Sequence, residues 1–370
     1  MNTIFCVRPR GLNIGNDAIF LGVRDLLHRA FDGRVNVVQI PARSTDQHGA
    51  PGGLTAATVH EINQYGDGVV VGGGNLYENN GLDVDLQALS ALRPPLLLFS
   101  LSHGRIHDRH HALVPRSDAM PAAVVRALHE RACASVVRDD ATLDYLRGLG
   151  LTNPVLGGCP TILLGRVDLP APQAPAVASG TLLSIRHPSL MCVPARDQSR
   201  LYSAMAGLVA ALEADGFGPV RVLCHDRRDV PFATSMDPLE FLFPDDVYAY
   251  LSLLRHARLV VTFRLHAFVP SLAFGTPAIN ISYDERSSSL VRTLGLESWN
   301  VDFGREPDVV AAVRRRCADL ARLDALRTAN QARWGVLERT MAGAMCDFAH
   351  RVAAYAGCET PRPWRVAAVR

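Results

Sequence analysis

The stretch TFRLHAFVP, residues 262–270, places Arg264 and His266 two residues apart where an apolar run ends. A guanidinium grips a carboxylate or phosphate at two points, and an imidazole with an ordinary pKa of ~6.5 moves protons near neutral pH. Two other stretches carry related chemistry. LLSIRHP puts Arg186 behind an apolar run, and INISYDERSSS puts Asp284 and Arg286 behind another. Nearer the start, VVRDDATL sets Arg138 directly after an apolar run, with Asp139 and Asp140 following. A lone arginine in such a place is commonly an ion pair. Arginines at several successive exits describe a pocket for a small anion, with a proton-moving histidine beside it.

Such a pocket needs strands that end side by side. Short apolar runs recur in the first half: TIFCV (3–7), VNVVQI (35–40), GVVV (68–71), PLLLFS (95–100), ASVV (134–137) and PVL (154–156). Helical patterns lie between them, for example over 119–132 and 140–149. This alternation predicts a parallel sheet with crossover helices. Residues 168–180, DLPAPQAPAVASG, are rich in proline and alanine and have no helical period, which marks a linker. The alternation then restarts with TLLSI (181–185), helix 199–214, VRVLC (220–224), helix 245–257, RLVVTF (258–263), helix 265–274 and PAINISY (277–283). Helical patterns over 306–323 and 325–356 close the chain. The expected fold is therefore α/β, with Rossmann-like domains over 1–167 and 181–325 facing across a cleft. A C-terminal helix and tail over 326–370 complete it. Ligands of such sheets bind beyond the carboxyl ends of the strands, where the arginines sit.

Other exits carry weaker signals. In RPRGLNIGNDAIF, Gly11 and Gly15 permit a tight loop, and Asn16 or Asp17 is suited to cap the helix that follows. GGGNLYENN (72–80) removes three consecutive Cβ atoms, so backbone amides there are able to approach a substrate. It lacks both the lysine of a phosphate loop and the GxGxxG spacing. LSHGRIHDRHH crowds His103, His107, His110 and His111 around one carboxylate, Asp108. Without companion cysteines this reads as a solvated basic loop rather than a metal site. Asp139 or Asp140 is placed to cap the helix after Arg138, and Asp139 to orient Arg138 or His266.

Bulk numbers narrow the class. The 370 residues are 48% apolar and 20% charged, which suits a two-domain globular protein. A net charge of +2 gives no basic excess for nucleic acid. No apolar run reaches membrane-spanning length, and the start lacks a secretory pattern. Eight scattered cysteines form no CxxC pair, so reduced thiols and a cytoplasmic location are expected.

In order and spacing, GGGN, VRDDAT, LRGLG, GGCPT, SIR, RLHA and FGTPAINISYDER resemble the polysaccharide pyruvyl transferase family, over about residues 3–345. RLHA followed by G-x-P and YD is the most specific part. The resemblance implies a GT-B-like fold and transfer of the pyruvyl group of phosphoenolpyruvate onto two hydroxyls of one sugar, forming a cyclic ketal. Carried over by residue, it implies that Arg138 and His266 handle phosphoenolpyruvate. Arg286 stands where the family usually has lysine, which keeps the positive charge but not a titratable amine. The family's N-x-G-D appears here as NIGND, so either Asn16 replaces the acid or Asp17 fills its place.

On this reading the donor site comprises Arg138, Arg186, Arg264, His266 and Arg286. His266, Arg138 and Asp139 serve the chemistry, with His266 as general acid or base. The acceptor side comprises Asn16, Asp17, Gly73, Gly74, Asn75 and His103. Phosphoenolpyruvate is co-substrate, and no metal or organic cofactor is expected. The acceptor is a sugar or glycan, lipid-linked precursors included, which allows peripheral contact with a membrane. The competing readings are a GT-B-type glycosyltransferase using a nucleotide sugar and a catalytically silent binding protein of the same fold.

Overall fold

The structure is a computed structural model and describes residues 1–11, 13–46, 51–170, 180–236 and 239–358. Two six-stranded parallel sheets organise it. The first uses β1 (Asn2–Arg8), β2 (Val35–Pro41), β3 (Gly68–Gly74) and β4 (Leu96–Leu101). A short antiparallel hairpin follows, β5 (Ile106–His107) and β6 (Leu113–Val114), before β7 (Ala134–Val137) and β8 (Val155–Leu156) complete the sheet. Its order is β2-β1-β3-β4-β7-β8. The second uses β9 (Thr181–Ser184), β10 (Val220–Leu223), β11 (Phe241–Leu242), β12 (Leu259–Thr262), β13 (Ala278–Ser282) and β14 (Val301–Asp302), in the order β11-β10-β9-β12-β13-β14.

Both sheets reverse direction once along their order: the first between β1 and β3, the second between β9 and β12. A crevice opens at such a reversal, because the flanking crossovers leave on opposite faces. The strands are buried along their length, as continuous apolar runs in parallel sheets require. The predicted helix 265–274 is observed as Leu265–Phe274, and 140–149 as Asp140–Gly148. Strands β11 and β14, two residues each, carry too little pattern to be read from sequence.

The last 39-residue helix, Leu320–Cys358, returns from the second sheet to cover the first. Phe348 and Val352 fill space that a Cβ on Gly68 of β3 would occupy, at 2.7 Å from each. Gly157 makes similar room for Met341. The linker expected at 168–180 falls largely on 171–179, outside the described residues, as does the tail 359–370. No helix among the described residues is long and apolar enough to cross a membrane.

Candidate functional site

The two reversal points face each other across a cavity of about 280 Å³. Its lining includes seven arginines (10, 43, 138, 186, 228, 264 and 286), His225 and His266, and no carboxylate. Each of the five residues expected at the donor site lines it. Asn16 and Asn75 face it from the first domain.

Arg264 stands between β12 and the helix Leu265–Phe274. Its Nε donates to the Ile185 carbonyl at 3.0 Å, and its Nη2 pairs with buried Asp229. The ion pair considered for this arginine therefore exists, and it aims the guanidinium rather than removing it from the cavity. His266 lies on the first turn of that helix. Its carbonyl accepts from the Tyr250 hydroxyl at 2.5 Å, while its Nε2 is buried without a partner. Burial, then Arg138, Arg286 and Arg264, hold the imidazole pKa well below its usual value. Each of those influences disfavours a second positive charge, so His266 rests neutral.

His225 lines the same wall, held between Ser184 Oγ at 2.7 Å and the Tyr250 hydroxyl at 3.2 Å. Its carbonyl also accepts from Ile14 N at 2.9 Å, joining the domains at the cavity floor.

Arg286 follows β13. Its Nη2 meets Asp284 Oδ2 at 3.0 Å and its Nη1 meets Glu78 Oε1 at 3.4 Å. Asp284 accepts in turn from Ser287 N at 2.8 Å, capping the helix Glu285–Thr293. Nε of Arg286, Nε of Arg186 and Nη2 of Arg138 are all buried without partners. Orphaned donors of this kind are rare in folded proteins. Three arginines with spare donors around one cavity describe a site for an acceptor-rich anion.

From the first domain, Arg138 leaves β7 with 1% of its surface exposed. Asp139 touches Arg138 Nε at 3.4 Å and also accepts from Thr142 N at 3.0 Å and Ser289 Oγ at 3.2 Å. It caps the helix Asp140–Gly148 and ties it to the second domain. Asp139 thus orients Arg138, while His266 is held through Tyr250.

Several first-domain expectations change. Neither Asn16 nor Asp17 caps the helix Ile14–Ala30. Asn13 does, its side chain accepting from Gly15 N at 3.0 Å. Gly15 belongs to that helix rather than to a loop, and a Cβ there would lie 2.9 Å from His266 Cβ. Asp17 turns to Arg8 at 2.8 Å, so Asn16 is the member of the pair that reaches the cavity. Gly73 and Gly74 are outside the cavity lining. Gly72 and Gly73 leave room for the Phe99 carbonyl and for Ile19, at 2.5 and 2.0 Å from an added Cβ. His103 is buried, not solvated, and stacks on Tyr145 with ring centroids 3.7 Å apart. No group of three or more His, Cys, Asp or Glu among the described residues is arranged to hold a metal ion.

Sequence reasoning missed Glu78. It is buried, accepts from Ser102 Oγ at 3.2 Å, and burial pushes its carboxyl up to about 7 against the pull of Arg286 and Arg138. Its only signal was being the sole acid in GGGNLYENN. Gly104 was missed too. A Cβ there would sit 2.8 Å from Arg286 Cβ, so this glycine lets the two domains meet beside Arg286.

Two doubly wound sheets with a shared crevice define a GT-B-like protein. Solved structures of similar fold include the UDP complex of S. aureus MnaA, at TM-score 0.58 and 14% identity over 98% of this chain and 99% of that one. The Neisseria meningitidis UDP-GlcNAc 2-epimerase bound to UDP-GlcNAc has TM-score 0.54 and 9% identity over 95% and 99%. That of Methanocaldococcus jannaschii with UDP-GlcNAc and UDP has TM-score 0.53 and 13% identity over 85% and 92%. No curated protein matches the sequence. The family model described as polysaccharide pyruvyl transferase matches residues 13–285, and the chain belongs to that family.

Proposed function

We propose that the protein transfers the pyruvyl group of phosphoenolpyruvate to two hydroxyls of a sugar, closing a cyclic ketal and releasing phosphate. The observation that carries this reading is the acid-free, arginine-lined cavity with a neutral histidine at its floor. Phosphoenolpyruvate carries about three negative charges near neutrality, one from its carboxylate and the rest from its phosphate. Arg138, Arg186 and Arg286 have free donors for these oxygens, and Arg264 adds a fixed positive charge. The scheme calls on no metal and no organic cofactor, since arginines supply the positive charge.

The atoms balance as follows. His266 accepts the proton of one acceptor hydroxyl as its oxygen bonds to C2 of the donor, and delivers a proton to C3, converting the methylene to methyl. The C2–O bond to phosphate then breaks while the second hydroxyl attacks C2. Phosphate departs with that hydroxyl's proton. Charge opposite to the arginines, arriving with the donor, raises the His266 pKa and makes the first proton transfer favourable.

The test is incubation of the full chain with phosphoenolpyruvate and a panel of glycosides, reading phosphate release and product mass. The expected product is heavier than the acceptor by one pyruvic acid less one water. Absence of phosphate release across the panel, together with a thermal shift by uridine or guanosine diphosphates and none by phosphoenolpyruvate, would move the assignment to a nucleotide-sugar glycosyltransferase.

A further inference from the structure

A second chamber of about 230 Å³ adjoins the donor cavity. Asn75, Asn79, Arg186, Tyr283 and Arg286 line both spaces and form the partition between them. Three of these five bear a buried polar atom with no partner: Asn79 Oδ1, Arg186 Nε and Arg286 Nε. Unmet donors and an unmet acceptor on a shared wall suit two ligands meeting there.

Beyond the partition the chemistry changes. The donor cavity has no carboxylate in its lining, whereas the chamber adds Glu78 and Asp284, together with Arg105 and Arg116, which are paired with Glu285 and Asp118. Ile106, Leu190 and Met191 add apolar surface to the same lining. With Arg105 and Arg116 already neutralised by their partners, a second multivalent anion would meet the two carboxylates at a cost. A pyranose meets them well. Its hydroxyls donate to carboxylate and amide oxygens, and its C–H face covers apolar side chains, the usual division of labour in a ligand site.

We propose that this chamber holds the acceptor sugar, with its two reacting hydroxyls directed through the partition and Glu78 accepting a hydrogen bond from the ring substituents. The proposal rests on the donor reading above and adds to it the place where the acceptor sits. It also moves the segment 189–192, which follows β9 in the second domain, into the acceptor site.

Cys192 provides the test, because it lines the chamber and is exposed. Alkylation of Cys192 by iodoacetamide, followed by peptide mass mapping, is measured with phosphoenolpyruvate alone and with a panel of methyl glycosides that includes a β-galactoside and an N-acetylmannosaminide. At least one glycoside is expected to slow labelling about fivefold or more, and phosphoenolpyruvate alone to leave it unchanged. Leu190→Trp, which fills the chamber, is expected to raise the KM of that glycoside about tenfold while calorimetric affinity for phosphoenolpyruvate stays within about twofold. A glycoside that supports phosphate release without slowing Cys192 labelling overturns the proposal. So does protection by phosphoenolpyruvate alone, or a panel in which no glycoside protects. Protection by a glycoside without any phosphate release from phosphoenolpyruvate supports a sugar chamber and overturns the donor reading instead.

Discussion

His266 rests as a free base because it is buried beside three guanidiniums and its Nε2 has no hydrogen-bond partner. A base in that state can take a hydroxyl proton without first shedding its own. His266→Gln keeps the size and polarity of the side chain but removes proton transfer. The expected result is a fall in kcat of about a hundredfold to ten-thousandfold with little change in phosphoenolpyruvate affinity. Parallel phosphate-release kinetics and calorimetry separate the two, and an unaltered kcat would remove His266 from the chemistry. Glu78 behaves in the opposite sense. Its carboxyl, raised by burial to about 7 in the folded chain, binds a proton that the unfolded chain has already released. Stability tied to this group is present below the unfolded pKa, ~4.5, and is lost as pH rises through about 7, amounting to about 3 kcal/mol at most. Urea unfolding of the wild type and Glu78→Gln between pH 5 and 8 should therefore show the variant gaining relative stability as pH rises. A stability difference that is flat across that range would contradict the raised carboxyl.

At the scale of elements, the site depends on helices packed closely enough to exclude a methyl group. Gly15, on the first turn of Ile14–Ala30, meets the His266 ring, and an added Cβ would lie 3.0 Å from Nδ1. That spacing is below normal contact, so Gly15→Ala must shift either the helix or the imidazole. Misplacement of a reacting group by a few tenths of an ångström to one ångström is costly to rate. The expected outcome is a kcat about tenfold to a hundredfold lower, with melting temperature changed by only a few degrees. Unchanged kcat with an unchanged melting temperature would show that the helix yields freely. This contact also shows why only part of the site was legible. The arginines at strand exits could be read because a short continuous apolar run ending in a charged residue is a local signal. So could the RLHA pair and the Asp139 cap. The Asn13 cap was hidden because NIGND offers three capping residues within five positions, and the tertiary fit of Gly15 to His266 decides among them. Glu78 was hidden because its burial and its contact with Arg286 join residues 208 apart in sequence. The glycine run of β3 was read as making room for a ligand, whereas Gly72 and Gly73 make room for Phe99 and Ile19.

Across the whole molecule, the cavity exists only while the two sheets are held face to face. Arg105 pairs with Glu285 across the cleft, Arg24 meets Tyr248 at 2.7 Å, and Ala141 N donates to Ser289 Oγ at 2.9 Å. One apolar core runs from the helix Ile14–Ala30 through Leu163 and Leu164 into the second sheet. The C-terminal helix extends that continuity. It leaves the second domain and buries Leu337, Met341, Met345, Phe348 and Val352, with Phe348 and Val352 against β3. Each such side chain is worth about 1.5–3 kcal/mol when fully buried. Their sum, about 7–15 kcal/mol, is comparable to the entire net stability of an ordinary domain. A chain ending at Gly335 should therefore lose the first domain as well as the helix, and with it Arg138 and half of the cavity wall. The full chain should melt in one calorimetric transition, and saturating phosphoenolpyruvate should raise that transition as a unit, because the cavity proposed for it is lined by residues of both domains. The truncated chain should be aggregated or show no first-domain transition, and should fail to bind phosphoenolpyruvate. A soluble truncated chain that binds phosphoenolpyruvate with wild-type affinity would mean that the first sheet stands without its C-terminal cover.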